Sequence, residues 1–283
     1  MSLVHDRVEH GGWRLVLALP PAVEGLRDKL VRFVIAAADG KIVEPMRRSR
    51  HAVTFQTQFA AGAIATINLF VKVIEEPRRM KRLKRVFRGS PGLHVARVTE
   101  QLAAAGLSAP PVWIHGHEVS TGRELLVTPR AEGSGPLRTL AALAGTVSTK
   151  RAMLRALGAE IARLHQGGFV HGDLTPFNIF TVRGEPPRFV LLDHERTRRS
   201  FFIGRTHRQL RNLVQLGRFK LPGLSRTDRL RTLLAYVARL NPRDPRALTR
   251  RISAMLDRRI GRDGGLQEIR RLTRSMIRSK ASV

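Results

Sequence analysis

One stretch of the sequence decides the fold: His171-Gly172-Asp173-Leu174-Thr175-Pro176-Phe177-Asn178-Ile179-Phe180. The residues before it repeat with the spacing of an amphipathic helix. The apolar positions of that helix are Leu154, Leu157, Ile161 and Leu164. After the stretch, the sequence predicts a short β-hairpin that turns at residues 184–187 and whose second strand, residues 189–192, leads into Asp193. This order of helix, polar loop and hairpin predicts that Asp173, Asn178 and Asp193 lie together.

These residue types suit phosphoryl transfer from ATP. The reaction needs a carboxylate to orient the acceptor hydroxyl, oxygen ligands for magnesium and a cation on the phosphates. The loop and the hairpin supply the carboxylate and the oxygen ligands. A matching cation, Lys72, lies upstream in the predicted strand at residues 67–74.

The pattern resembles the protein-kinase-like superfamily, whose catalytic loop reads H-R-D-L-x-x-x-N and whose metal-binding turn begins with Asp. Within that superfamily, the chain is similar to the lipopolysaccharide kinase family, the Kdo/WaaP and InaA group. The matching segments include Phe70-Val71-Lys72, Arg88-Gly89-Ser90, His171-Gly172-Asp173-Leu174-Thr175, Asp193-His194-Glu195-Arg196 and Arg211-Asn212-Leu213.

The resemblance implies a two-lobed kinase that uses ATP and Mg²⁺ to phosphorylate a heptose or Kdo sugar of the lipopolysaccharide inner core. It also implies a role for each matching residue. Asp173 becomes the catalytic base, Asn178 and Asp193 become the magnesium ligands, and Lys72 becomes the ATP-binding lysine. The implied place of action is the cytoplasmic face of the inner membrane.

The chain departs from the kinase pattern at several positions. Gly172 stands where many protein kinases have arginine, and Asp193-His194-Glu195 replaces D-F-G, which points away from regulated protein kinases. Val95 occupies the position expected for the small-lobe glutamate that pairs with the strand lysine, and Glu100 lies about 140° away on the helix. The glycine-rich loop is replaced by a basic turn containing Arg48, Ser49 and Arg50. That turn either contacts phosphates or is a solvated surface turn.

Other polar residues near the motif have open roles. His165, His171 and Glu195 are candidate supporting residues: His165 is expected to brace the loop, and Glu195 either assists substrate or metal or is ion-paired with neighbouring arginines. Arg211 either contacts an anionic acceptor or stabilises the helical lobe. His115 and His117 are expected in a turn, because no third metal ligand accompanies them.

The fold class expected is α+β, with a small β-rich N-lobe and a larger helical C-lobe. Short runs with β-branched enrichment predict N-lobe strands at residues 52–59, 67–74, 112–115 and 124–128, and one helix is predicted at about residues 91–105. Residues 1–40 are expected to form an N-terminal extension packed on the N-lobe, residues 41–128 the N-lobe, and residues 129–283 the C-lobe with catalytic loop 171–178. Ser225 with Asp228, and Asp244 with Pro245, are predicted helix starts. The sequence shows no signal peptide and has no cysteine, which favours a cytoplasmic protein.

The chain is strongly basic, with 51 Lys+Arg against 22 Asp+Glu, a formal net charge of +29 and a pI near 11.9. Such an excess implies a polyanionic partner. An anionic glycolipid at a membrane surface is favoured over nucleic acid, since aromatic residues are only 5% of the chain and offer few stacking platforms. Four arginines near the C-terminus, Arg270, Arg271, Arg274 and Arg278, are expected to face outward from a helix.

Three functions therefore remain open at this point. The first is the glycolipid kinase just described, held peripherally at the membrane. The second is a small-molecule kinase of the aminoglycoside type, or a protein kinase; an aminoglycoside kinase would need an acidic acceptor cleft. The third is a pseudokinase or basic polyanion-binding protein, which the missing helix glutamate keeps in consideration.

Overall fold

The computed structural model describes residues 6–49, 51–61, 66–75, 90–131, 135–182, 184, 186–199 and 205–268. The chain divides into two compact units, one formed by Met1–Ala103 with Ala109–Ala131 and the other by Ala104–Ser108 with Glu132–Val283. The predicted turn residue Arg50 and the C-terminal arginines 270, 271, 274 and 278 lie outside the described residues. No helix in the described part of the chain is long and apolar enough to cross a membrane.

A seven-stranded antiparallel sheet organises the first unit. Its strands are β1 (Asp6–His10), β2 (Trp13–Leu17), β3 (Arg47–Arg48), β4 (Ala52–Ala60), β5 (Thr66–Ile74), β6 (Ile114–Glu118) and β7 (Glu124–Pro129), in the spatial order β1-β2-β6-β7-β5-β4-β3. Its helices are α1 (Pro21–Glu24), α2 (Arg27–Ala38) and α3 (Pro91–Ala104). The strands predicted near residues 52–59, 67–74 and 124–128 and the helix predicted near 91–105 are confirmed.

Alternation along the strands gives the sheet two differently occupied faces. Leu69, Val71 and Val73 of β5 are buried in a large apolar core that also contains Leu30 and Val34 of α2. The intervening positions of β5 point to the opposite face, where a smaller apolar cluster forms. That cluster comprises Val95, Ala96, Val112 and Leu126.

The N-terminal residues are built into this sheet. β1 and β2 form a hairpin that turns at Gly11 and Gly12, both with positive φ, and β2 pairs with β6. Trp13 and Leu15 of β2 are buried in the large core. Residues 6–40 therefore contribute strands and core residues to the first unit. The alternating residues 13–17 after a double glycine are the hairpin signal in this segment.

Helices dominate the second unit. They are α4 (Leu140–Ala144), α5 (Val147–Gln166), α6 (Arg205–Gly217), α7 (Arg226–Leu240) and α8 (Pro245–Arg262). The short strands are β8 (Gly135–Pro136), β9 (Phe169–Val170), β10 (Ile179–Val182), β11 (Arg188–Leu191), β12 (Arg198–Arg199), β13 (Phe219–Lys220) and β14 (Gln267–Glu268). An α+β fold with one β-rich and one helical unit is thus confirmed.

The predicted helix starts are present. The Ser225 hydroxyl accepts from the Asp228 backbone N–H, and the Asp228 carboxylate accepts from the Ser225 N–H, both at 3.1 Å. Asp244 caps α8 by accepting from the Ala247 N–H at 2.8 Å, with Pro245 as the first helical residue. Asp228 is further paired with Lys150 at 3.1 Å. Burial alone would raise the pKa of Asp228, but the hydrogen bonds from Ser225 and the Lys150 ammonium hold it below its ordinary value.

Packing of α5 on α7 explains one difference from the sequence periodicity, which predicts a buried apolar face of α7 formed by Leu230, Leu233, Val237 and Leu240. All four predicted apolar positions of α5 are buried, but Leu230 of α7 is 44% exposed. A Cβ on Gly158 of α5 would lie 2.2 Å from the Thr232 carbonyl oxygen, so the missing side chain lets the two helix backbones approach closely. This close approach places the small residues Thr232 and Ala235 of α7 against α5. Leu230 therefore lies on the side of α7 that faces solvent.

Candidate active site

The candidate base Asp173 lies in the loop that follows β9, and its side chain is half-buried. Asn178 donates from Nδ2 to the Asp173 backbone carbonyl at 2.9 Å and to Asp173 Oδ2 at 3.1 Å. Gln215 of α6 donates from Nε2 to the other carboxylate oxygen, Oδ1, at 2.5 Å. Each carboxylate oxygen therefore receives one amide donor, which fixes the direction of the carboxylate.

His171 shapes the start of this loop. Its Nε2 lies 2.8 Å from the Leu192 carbonyl, and its Nδ1 accepts from the Asp173 backbone N–H at 3.1 Å. Only the neutral ring can donate at one nitrogen and accept at the other. Burial lowers the pKa of His171, which favours that neutral form. The ring thus ties the Asp173 loop to the end of β11.

A polar network beneath the loop connects it to α5, α6 and α7. Asn212 accepts from the His171 N–H at 2.9 Å and donates to the His171 carbonyl at 2.5 Å. His165, which is fully buried, lies 3.3 Å from Asn212 Oδ1 through Nε2 and 2.9 Å from the Tyr236 hydroxyl through Nδ1. The predicted supporting residue His165 therefore reaches the loop through Asn212.

The hairpin of β10 and β11 brings Asp193 to the same end of the unit. The Leu192 N–H donates to the Asn178 carbonyl at 2.9 Å, so Leu192 lies opposite Asn178. Asp193 is the next residue along the chain. Asp193 has φ 61 and ψ 66, a left-handed backbone that a non-glycine residue adopts rarely. Such conformations cluster at functional sites. The neighbouring candidate Glu195 is half-buried in the short helical turn His194–Arg196.

Gly172, between His171 and Asp173, has a steric reason for lacking a side chain. A Cβ there would lie 2.1 Å from the Cβ of Arg196 and 2.5 Å from its carbonyl oxygen. An arginine, as in many protein kinases, does not fit at this position unless the turn after Asp193 moves.

An open cavity of about 930 Å³ adjoins the loop. Part of the wall is formed by Gly172, which precedes Asp173 in sequence, and by Gln215, which donates a hydrogen bond to Asp173. Most of the remaining lining is cationic, and no carboxylate of a described residue contributes to it. The arginines are Arg211, Arg218, Arg251, Arg258, Arg259 and Arg262.

Two of these arginines are partly neutralised. Arg218 and Arg259 pair with Asp263 at 3.4 and 3.0 Å. Arg211, Arg251 and Arg258 are exposed on α6 and α8. Arginine is the side chain best suited to bidentate binding of phosphate and carboxylate. The cavity therefore has the charge and the donors for an anionic ligand beside Asp173.

The remaining candidates belong to the β-rich unit. Lys72 is half-buried in β5, opposite Thr54 of β4 and Leu126 of β7. Arg48 is exposed in β3. Ser49 closes the turn into β4: its backbone N–H donates to the Ala52 carbonyl at 2.8 Å, and its hydroxyl accepts from the Ala52 N–H at 3.0 Å. These bonds favour the structural alternative for Ser49.

Residues 94–236 match the sequence pattern of the lipopolysaccharide kinase (Kdo/WaaP) family. The chain belongs to this family. The predicted family, and with it the phosphotransferase class, is confirmed. No curated protein matches this lipopolysaccharide-kinase-family chain.

Two solved structures are similar to this family member. A Stt7 homologue from Micromonas algae, soaked with ATP, is 15% identical with a TM-score of 0.38, and the match covers 54% of this chain and 48% of that one. WbdD in complex with the kinase inhibitor LY294002 is 19% identical with a TM-score of 0.42, and the match covers 73% of this chain and 44% of WbdD. The match thus spans less than half the length of either protein.

The sequence did not single out Gln215 or the arginines of α8. Gln215 lies four residues after Arg211 and three after Asn212, on the same side of α6, which is the signal that points to it. His115 and His117 were expected in a turn. They lie instead in strand β6, paired with Leu126 and Glu124 of β7.

Proposed function

We propose that the protein transfers the γ-phosphate of ATP to a sugar hydroxyl of an anionic glycolipid, a heptose or Kdo of the lipopolysaccharide inner core. The observation that carries this proposal is the arginine-lined cavity whose wall includes Gln215, the residue that also holds Asp173. An acceptor bearing phosphate or carboxylate groups would be held there by charge-assisted hydrogen bonds, with a hydroxyl available to Asp173.

Asp173 accepts the proton of the acceptor hydroxyl as the hydroxyl oxygen bonds to the γ-phosphorus of ATP, the bond from that phosphorus to the bridging oxygen breaks, and ADP leaves. Asn178 and Gln215 keep its two oxygens directed during that step. His171 contributes by holding the backbone on either side of Gly172, and it needs no change of protonation to do so.

Magnesium fits the residues that the family pattern assigns to it. Asn178 and Asp193 offer an amide and a carboxylate oxygen, the hard donors that Mg²⁺ prefers, and the hairpin brings their backbones side by side. In kinases the metal neutralises charge on the β- and γ-phosphates of ATP. Lys72 is proposed to bind those phosphates as well.

The alternatives are less well supported. A kinase for cationic aminoglycosides would need carboxylates around the acceptor, whereas the described lining of this cavity is basic. A pseudokinase would not require the two directed amide bonds to Asp173. We also propose peripheral binding to an anionic membrane, supported by the exposed arginines of α8 and the net charge of +29.

A pair of double variants on α8 tests the acceptor proposal. Arg251→Gln/Arg258→Gln removes two charges from the cavity wall, whereas Arg246→Gln/Arg250→Gln removes two exposed charges elsewhere on the same helix. With lipopolysaccharide as acceptor, the first variant should raise the acceptor KM by about tenfold or more while the KM for ATP stays constant. The control should change the acceptor KM by less than about twofold, because screened surface charges contribute little. Equal effects of the two variants would mean that only general charge attraction operates.

A further inference from the structure

The helix that supplies a lysine-pairing glutamate in most kinases has no carboxylate at that position here. Val95 of α3 is 5% exposed and packs with Ala96, Val112 and Leu126. Leu126 is also the cross-strand partner of Lys72. The residue that would reach Lys72 from the helix is therefore apolar, although it lies on the same face of the sheet.

Another carboxylate lies on that face. Glu124 is two residues before Leu126 on β7, so its side chain points to the same side of the sheet. It is the cross-strand partner of Ile74, two residues after Lys72 on β5. Diagonal neighbours of this kind have Cα atoms about 7–8 Å apart, a distance that the long side chains of lysine and glutamate bridge.

Glu124 is only 4% exposed, which is rare for a glutamate at the end of a strand. Burying an ionised carboxylate is costly unless cations and hydrogen-bond donors surround it. Ser90, just before α3, donates its hydroxyl to Glu124 Oε2 at 2.5 Å. Basic residues occupy two neighbouring positions: His117 directly opposite on β6, and Lys72 on the diagonal.

We infer that Glu124 is the carboxylate that positions Lys72, in place of the missing helix glutamate. Glu124, a residue of the sheet, orients the Lys72 ammonium group, which most kinases orient with a glutamate from the helix. The hydrogen bond from Ser90 fixes the Glu124 carboxylate. Since the lysine is then held by a residue of the adjacent strand, no side chain of α3 is needed to direct it. This inference rests on the proposed role of Lys72 in ATP binding.

A double-mutant cycle on Mg-ATP binding tests the inference. The variants are Lys72→Met, Glu124→Gln and the combination of both; glutamine retains an oxygen that can accept from Ser90. Glu124→Gln should weaken Mg-ATP binding by about tenfold in the wild-type background and have no further effect once Lys72 is methionine. A residue that only supports the packing of the unit would weaken binding equally in both backgrounds.

The outcomes separate the inference from the function on which it rests. If Lys72→Met leaves Mg-ATP binding unchanged, the ATP-binding role of Lys72 is wrong, and the inference about Glu124 fails with it. If Lys72→Met weakens binding but Glu124→Gln does not, or does so equally in both backgrounds, the kinase proposal stands and the Glu124 inference is overturned. In that case the carboxylate serves His117 or the packing of the unit.

A measurement on the wild-type chain keeps the test valid if Glu124→Gln does not fold. Zero-length carbodiimide crosslinking joins a lysine to a carboxylate that it contacts, and mass spectrometry identifies the linked peptides. Lys150 and Asp228, paired at 3.1 Å with side chains 21% and 7% exposed, provide the positive control. We expect a Lys72–Glu124 link alongside the control link. Appearance of the control link without the Lys72–Glu124 link would overturn the inference.

Discussion

The hydrogen bond from Gln215 to Asp173 gives the sharpest test of how the loop is organised. Replacing Gln215 with alanine removes the donor to Oδ1, at 2.5 Å, and leaves the Asn178 bond to Oδ2 intact. A hydrogen bond to a charged group contributes about 1.5–3 kcal/mol, and about 1.4 kcal/mol corresponds to a tenfold change in rate. If the bond acts by directing the base in the transition state, kcat should fall by about 10- to 100-fold.

The assay is steady-state ADP release with lipopolysaccharide as acceptor, together with thermal unfolding. Because Gln215 is half-buried at the cavity wall, we expect little change in melting temperature. Gln215→Glu should lower kcat further, since two carboxylates at this separation repel each other.

Gln209, on the same helix, is the matched control. It is buried and donates its amide to the His165 carbonyl at 2.8 Å, with no bond to Asp173. Gln209→Ala should lower the melting temperature while kcat changes by less than about threefold. The reasoning is refuted if Gln215→Ala keeps near-normal kcat, or if both variants lose kcat in proportion to their loss of stability.

Two further predictions concern stability. Asp228→Asn should lower the free energy of unfolding at pH 7 by about 2–4 kcal/mol, because Lys150 and the capping box lose their carboxylate. The pKa of Asp228 is depressed in the folded state, so its contribution is present above the unfolded pKa and is lost as the pH falls through the folded value; urea unfolding at pH 7 and near pH 2 should show the difference shrinking. Gly158→Ala should destabilise the protein by about 1–3 kcal/mol in the same assay at pH 7, since its Cβ meets the Thr232 carbonyl. A neutral effect would contradict the close approach of α5 and α7.

Local sequence signals predicted well the loop that carries Asp173 and Asn178, and the helix starts. The spacing of Asp173, Asn178 and Asp193, the cap at Ser225 and the apolar stripe of α5 each depend on residues near one another in the chain. Their geometry follows from helix and turn rules that need no tertiary information.

Features made by packing between distant elements were not predictable in this way. Gln215 contacts Asp173 across 42 residues of sequence. The arginines of α8 form the cavity wall only because that helix packs against α6. The outward turn of Leu230 depends on Gly158 in another helix. Sequence periodicity identifies the four leucine and valine positions of α7, but it gives no information about the surface of α5 against which α7 packs.

The proposed reaction is tested most directly by measuring where the γ-phosphate of ATP is transferred. The wild-type chain and Asp173→Asn are incubated with γ-labelled ATP, Mg²⁺ and lipopolysaccharide, and the position of the label is determined after mild hydrolysis of the lipid. We predict label on an inner-core sugar with the wild type, and a rate about 10²- to 10⁴-fold lower with Asp173→Asn at similar ATP affinity. ATP binding without transfer to the glycolipid, or equal transfer by both proteins, would contradict the account.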